Sequence, residues 1–138
     1  MAADTSVPLD RLDRVQSLYE AAVARRARIA YDTALVAMAP KLPVINKGGT
    51  AVIGERGYAF AKWEDVAEKI VAICSAHGFS LTFRVADVID TNELRITAVL
   101  AHTGGHREET GLPFPFDFSD GKNPFHARGS AMSYGKRY

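Results

Sequence analysis

"FSLTFRVADV" (Phe79–Val88) and "ELRITAVLAH" (Glu93–His102) decide the fold. In the first, Phe79, Leu81, Phe83 and Val85 alternate with Ser80, Thr82 and Arg84. In the second, Leu94, Ile96, Ala98 and Leu100 alternate with Arg95, Thr97 and Val99. A period of two places these sets on opposite faces of a strand. "TGG" (Thr103–Gly105) then turns the chain into a third run, "HREETGLPF". Three such runs in order predict an antiparallel β-meander with one apolar face and one polar face.

An apolar sheet face must be covered. The cover is predicted immediately upstream, in "WEDVAEKIVAICSAHG". Trp63, Val66, Ala67, Ile70, Val71 and Cys74 fall on one helical face, with Glu64, Asp65, Glu68 and Lys69 mainly opposite. Two acids in the first turn suit the helix dipole, and Gly78 suits the exit. Before this helix, "TAVI" and "YAFA" flank "GERG", the pattern of a small β-hairpin. Earlier still, Pro8 opens a long helix that Pro40 and Pro43 close. Its apolar residues are Leu12, Val15, Leu18 or Tyr19, Ala22, Ile29, Ala34, Leu35 and Met38. Its middle, "ARRAR", carries Arg25, Arg26 and Arg28; such a run reads as a solvated face or as a contact to phosphate or a neighbouring subunit. After the meander, "PFPFDFSDGKNPF" reads as a loop, and a last helix starts near Asn123 with Pro124 in its first turn. The fold class is therefore α+β: a three-stranded meander packed on helices, with a small hairpin and a long N-terminal helix.

With 138 residues, 47% hydrophobic and 24% charged, the chain has the size and composition of a single globular domain. One cysteine excludes an internal disulfide framework and fits a reducing, cytoplasmic setting. There is no signal-peptide pattern, and no apolar run reaches the roughly 18 residues a bilayer span requires. Net charge is only +1, but it is polarised. Gly121–Tyr138 holds Lys122, Arg128, Lys136 and Arg137 and no acid, whereas Asp87–Asp120 leans acidic. Polarised charge of this kind builds a surface patch.

The basic end is "HARGSAMSYGKRY" (His126–Tyr138). On a helix, His126, Ser130, Ser133 and Arg137 fall within about 60° of one another. Ala127, Ala131, Tyr134 and Tyr138 form a neighbouring stripe able to face the sheet. The bland reading is a C-terminal packing helix with a wet face. The functional one is a groove wall for a phosphate chain: hydroxyls donate to phosphate oxygens, and Lys136 and Arg137 supply charge.

Catalytic patterns are weak. "NKGGT" lacks the Gly-Lys-Ser/Thr order of a phosphate loop. His102, His106, Glu108 and Glu109 could hold a metal, but histidines at a hairpin bend are more often surface residues, and no Cys or third His is placed to help. Cys74 on an apolar helix face reads as a structural thiol. No cofactor is expected. A metal-dependent nuclease and a non-catalytic oligomeric structural protein stay as alternatives.

Four fragments, in order, resemble the Erf family of phage single-strand annealing proteins. "YAFAKWEDV" (Tyr58–Val66) is similar to the family's tyrosine-containing strand and first core helix. "HGFSLTF" (His77–Phe83) is similar to its helix exit and following strand, and "ITAVLAHTGGHRE" (Ile96–Glu108) to its central hairpin. "GSAMSYGKRY" (Gly129–Tyr138) resembles its most telling motif. The resemblance spans about Asp32 to Tyr138; His126 stands where the family usually has glutamine.

The resemblance implies a β-β-β-α core like that of the Rad-fifty-two superfamily. It implies rings or helical filaments that hold single-stranded DNA in a basic groove and anneal complementary strands without ATP. Carried over by residue, it points to Arg137 and Lys136 as DNA contacts, with Ser133, Ser130 and Tyr134 nearby; His126 and Arg128 of the same segment are counted with them. His102 and Arg107, on the "HTGGHR" bend, become a second wall, and Lys62 and Lys47 are chosen only for charge near the hairpin. Residues 1–40 are then a helical oligomerisation segment, and residues 41–138 the annealing domain, which reads as cut short because the chain stops inside a helical pattern. A phage exonuclease and a host single-strand-binding protein are the implied partners. The setting would be the cytoplasm of a phage-infected bacterium.

Overall fold

The computed structural model describes residues 8–46, 48–53, 56–60, 62–88, 93–115 and 136, without the side chains of 50–53, 56–60, 88 and 115. Helix α1 spans Leu9–Met38 and is followed by a short 3-10 turn, Ala39–Lys41. Strands β1 (Gly49–Ile53) and β2 (Arg56–Phe60) pair antiparallel as a separate two-stranded sheet. Helix α2 spans Trp63–Ala76. Strands β3 (Phe79–Val88), β4 (Glu93–His102) and β5 (Arg107–Pro115) form an antiparallel sheet in that order. The architecture is α+β, and β3 and β4 have the bounds that the alternation predicts. The predicted last helix lies outside the described residues, except for Lys136, which is helical; of the loop predicted before it, Pro113, Phe114 and Pro115 are strand, the end of β5 paired to β4, and the rest lies outside the described residues.

Register explains the two faces. Phe79 pairs with His102, Leu81 with Leu100, Phe83 with Ala98 and Val85 with Ile96. Ile96 in turn pairs with Leu112, and Leu94 with Phe114. These residues share the inner face, where Leu94 is fully buried at 0% exposure. Leu94 and Ile96 pack with Phe83 and Phe114. The outer face carries Ser80, Thr82, Arg84, Arg95, Thr97, Arg107 and Glu109, which are exposed apart from the half-buried Thr97. Arg84 and Glu109 form an ion pair that crosses the central strand β4.

The inner face is covered by α2 and by the second half of α1. Tyr31 and Met38 of α1 form one buried cluster with Cys74 of α2 and Phe79 of β3, and Ala34, Leu35, Ile70, Ile73 and Leu100 pack against it. Val71, expected on the packed face of α2, is exposed; Ile73 packs instead. The α2–β3 connection needs Gly78, whose φ of +77° an L side chain rarely adopts. Its carbonyl accepts the Thr103 N–H at 3.0 Å, which ties the helix exit to the β4–β5 bend.

Helix α1 differs from its sequence reading. Ile29 is exposed, and the buried residues are Ala27, Tyr31 and Met38. Residues 9–26 are exposed throughout. The change in packing thus falls at Ala27, inside α1; from there Ala27, Tyr31 and Met38 are buried, and Ala34 and Leu35 pack beside them.

Candidate nucleic-acid interface

Three regions carry the polar chemistry of the described chain. The first is the start of α2. Lys62 is exposed and sits at the helix N-cap in an extended conformation. Trp63 follows it and stands edge-on to Phe83, with ring centroids 5.0 Å apart and planes at 88°. This is the favoured T-shaped arrangement of two aromatic quadrupoles. Above the pair lies Lys136: its Nζ is 5.9 Å from the Trp63 ring centroid and 5.8 Å from that of Phe83. A cation at that distance is attracted to the ring faces, by about 0.5–1 kcal/mol where water has access. Lys136 therefore comes from the far end of the sequence to the inner side of the sheet, where one cation meets two aromatic rings.

The second region is the β4–β5 bend. His102 is half-buried, 4.8 Å from the Phe79 ring and 6.4 Å from the Tyr31 ring between centroids. Its Nδ1 accepts the Gly104 N–H at 3.0 Å. His106 stands edge-on to Tyr31 at 5.0 Å, and its Nε2–H donates to Glu108 Oε1 at 2.8 Å. Glu108 also lies 3.6 Å from Arg28 Nη1 of α1. The His106 hydrogen bond, seconded by the Arg28 charge, holds the Glu108 carboxyl below its ordinary value. Burial pushes the Tyr31 phenol up. A Cβ added at Gly104 would come within 3.0 Å of the Ala30 Cβ, so α1 rests closely on this bend. The histidines serve as a seat for α1: the His106 ring is engaged by Tyr31 and Glu108, the His102 ring by Phe79 and Gly104. Among the described residues no group of three His, Cys, Asp or Glu side chains is placed to hold a metal ion.

An open groove of about 380 Å³ runs beside the bend, lined by Ser75, Gly78, Phe79, Ser80, Ala101, His102 and Thr103. It offers hydroxyls but no cation, so it lacks the charge that a phosphate chain needs. Nearby, His77 Nδ1 donates to the Ile73 carbonyl at 2.9 Å while Lys41 Nζ approaches Nε2 at 3.2 Å. A carbonyl only accepts and an ammonium only donates, so in this arrangement Nδ1 is the donor and Nε2 the acceptor. Cys74 is buried, and burial raises its thiol pKa, which keeps it protonated and unreactive.

The third region is the outer sheet face. Arg107 pairs with Ala101 and so points away from His102, which pairs with Phe79 on the inner face. Arg95 lies across Gly111 on the same outer face.

The structure thus brings Lys136 to Trp63 and Phe83, leaves Lys62 exposed at the N-cap of α2, and separates His102 from Arg107 by the thickness of the sheet. Lys47, His126, Arg128, Ser130, Ser133, Tyr134 and Arg137 lie outside the described residues. Sequence reasoning missed Trp63 and Phe83 as site residues because both sit on apolar stripes and read as core. The signal was Lys62 directly before Trp63. It also passed over Arg84 and Arg95, which the alternation had placed on the polar face; the register puts Arg107 on that face too.

The fold is that of an α+β protein whose antiparallel meander is covered on its inner face by two helices. The chain belongs to the ERF superfamily, whose family model matches residues 32–138. That membership is consistent with single-strand annealing in phage recombination and with binding of single-stranded DNA. No curated protein and no solved structure matches the chain. No described helix is long and apolar enough to cross a membrane.

Proposed function

We propose that the protein binds single-stranded DNA and anneals complementary strands without ATP, as a homo-oligomeric ring or filament, in phage recombination. The observation that carries this reading is the family match over residues 32–138. The seating of Lys136 over Trp63 and Phe83, with Lys62 exposed at the start of the same helix, supports it. Cations attract the phosphate chain, and aromatic surface accepts any base, so such a cluster favours single strands without reading sequence. An annealer must hold the sugar-phosphate backbone and leave base edges free to test a complement. Lys136 and Arg137, with Ser130, Ser133, Tyr134, His126 and Arg128 of the closing segment, form the principal contact in this reading. His102 and Arg107 lie on opposite sheet faces, so at most one of them meets a given strand. The protein makes and breaks no covalent bond. A phage exonuclease supplies the single strands, and a host single-strand-binding protein hands them over.

Each copy offers few cations, so useful affinity comes from a row of copies on one strand. Lys136→Ala with Arg137→Ala tests the site. We expect the double variant to keep its melting temperature and to lose single-strand binding and oligonucleotide annealing, measured by fluorescence without ATP or metal. Wild-type annealing by this variant at moderate salt would remove the site assignment. A wild-type chain that binds no single strands would remove the function and favour a purely structural oligomer.

A further inference from the structure

Lys136 is fixed in place without being neutralised. The ion-paired cations of the described chain are fixed by acids: Arg28 lies 3.5 Å from Asp32 and 3.6 Å from Glu108, and Arg84 is paired with Glu109. A carboxylate holds a cation but cancels its charge, so a phosphate must displace the acid before it can bind. Among the described residues no acid pairs with Lys136. Its Nζ rests instead 5.9 Å from the Trp63 ring centroid and 5.8 Å from that of Phe83. A ring face attracts an ammonium through its quadrupole and carries no charge of its own. The seat is supported from below. Phe83 packs on Ile96 and on the fully buried Leu94. Trp63 stands edge-on to Phe83, with ring centroids 5.0 Å apart. A line of contacts thus runs from the sheet core through Phe83 and Trp63 to a cation near the end of the sequence.

We infer that Trp63, backed by Phe83, is a positioning residue for Lys136 and acts on a bound strand through that lysine. This rests on the single-strand binding proposed above. A free surface lysine samples many rotamers, and ordering it on a phosphate costs entropy. Seating it on two rings removes part of that freedom before the strand arrives. The ammonium has three donors, and a ring face does not engage all of them, so a phosphate oxygen can be met from the seat. A base can meet only the ring surface that the lysine leaves open. The rings therefore act on the strand first through the cation they hold.

The test uses the full chain and a fluorescent oligothymidylate, with binding read by anisotropy at one fixed salt concentration. Trp63→Leu is made in the wild-type chain and in Lys136→Met, which keeps an apolar stem and removes the charge. In the wild-type chain Trp63→Leu should weaken binding about two- to fivefold per copy bound, the strength of a cation–π contact open to water. In Lys136→Met it should have no further effect, because the residue it positions is gone. Lys136→Arg should keep binding, since a guanidinium also rests on aromatic faces. Trp63 is the single tryptophan of the chain, so its emission reports the seat directly. Lys136→Met should shift that emission in the free protein. Should Trp63→Leu melt too low to assay, Trp63→Phe makes the same comparison, because a phenyl ring holds a cation less firmly than an indole. An equal loss in both backgrounds would overturn the inference and make Trp63 a stacking platform for bases. No loss in the wild-type chain, or an emission that Lys136→Met leaves in place, would overturn it too. A wild-type chain that binds no single strand removes the proposed function and this inference with it; binding with equal losses removes the inference alone.

Discussion

The two halves of α1 share one helix and one continuous hydrogen-bond ladder, yet they live in different environments. Residues 9–26 bury nothing, while residues 27–38 supply Ala27, Tyr31 and Met38 to the core. Charge separates them in part: residues 9–26 hold seven charged side chains among 18, and residues 27–38 only Arg28 and Asp32 among 12. The angular position of the apolar stripe and the presence of a seat differ as well. The second half finds Phe79 and His106 for its tyrosine, Gly104 for its Ala30 and Glu108 for its Arg28. A helix can thus be a structural member over half its length and an unpartnered surface over the rest.

Paired substitutions break or sharpen this contrast. The largest difference is expected at the tyrosines. Tyr31→Ala removes a buried ring at 4% exposure and should cost about 3–5 kcal/mol, as other aromatic truncations in cores do. Tyr19→Ala should stay within about 0.5 kcal/mol, because its ring faces solvent. Urea unfolding at concentrations too low for copies to meet measures both; equal effects would mean that the arm is packed. A smaller difference is expected from added bulk. Gly104→Val forces a branched side chain against Ala30 and should cost about 1–3 kcal/mol. Ala22→Val, on the open stripe, should cost only the lower helix propensity of valine, about 0.5 kcal/mol.

The smallest effect is expected from charge. Glu108 has a lowered pKa in the folded state, so it contributes stability above the ordinary carboxylate range, and that contribution is lost as pH falls through the folded value. Glu108→Gln should therefore lower the melting temperature slightly at neutral pH and not at all in acid. A loss of equal size at both pH values would assign Glu108 a packing role instead of an electrostatic one. The charge is exposed and screened, which keeps the effect small.

The meander was legible because its alternation is strict and one face is greasy: Phe79, Leu81 and Phe83 cannot share a face with Ser80 and Thr82. Helix α2 was legible for the same reason at a different period, and the ends of α1 from Pro8 and Pro40. The candidate site was legible only in part. Lys136 and Lys62 were chosen for charge, but nothing local says that Lys136 will lie over Trp63 and Phe83, residues 73 and 53 positions earlier in the chain. Nor could charge alone separate His102 from Arg107. Their faces follow from register across the bend, where Gly78 and Thr103 fix the pairing.

The sequence by itself determined the elements, their order, the sheet's apolar face and the family. Hydrophobic period and turn chemistry are local, and they act before any long-range contact forms. It also held both stripes of α1 in plain view. Only the tertiary structure decided which stripe is covered. Burial depends on what stands opposite a side chain, and the β4–β5 bend reaches Ala27 and Tyr31 but leaves Leu12 and Tyr19 in water.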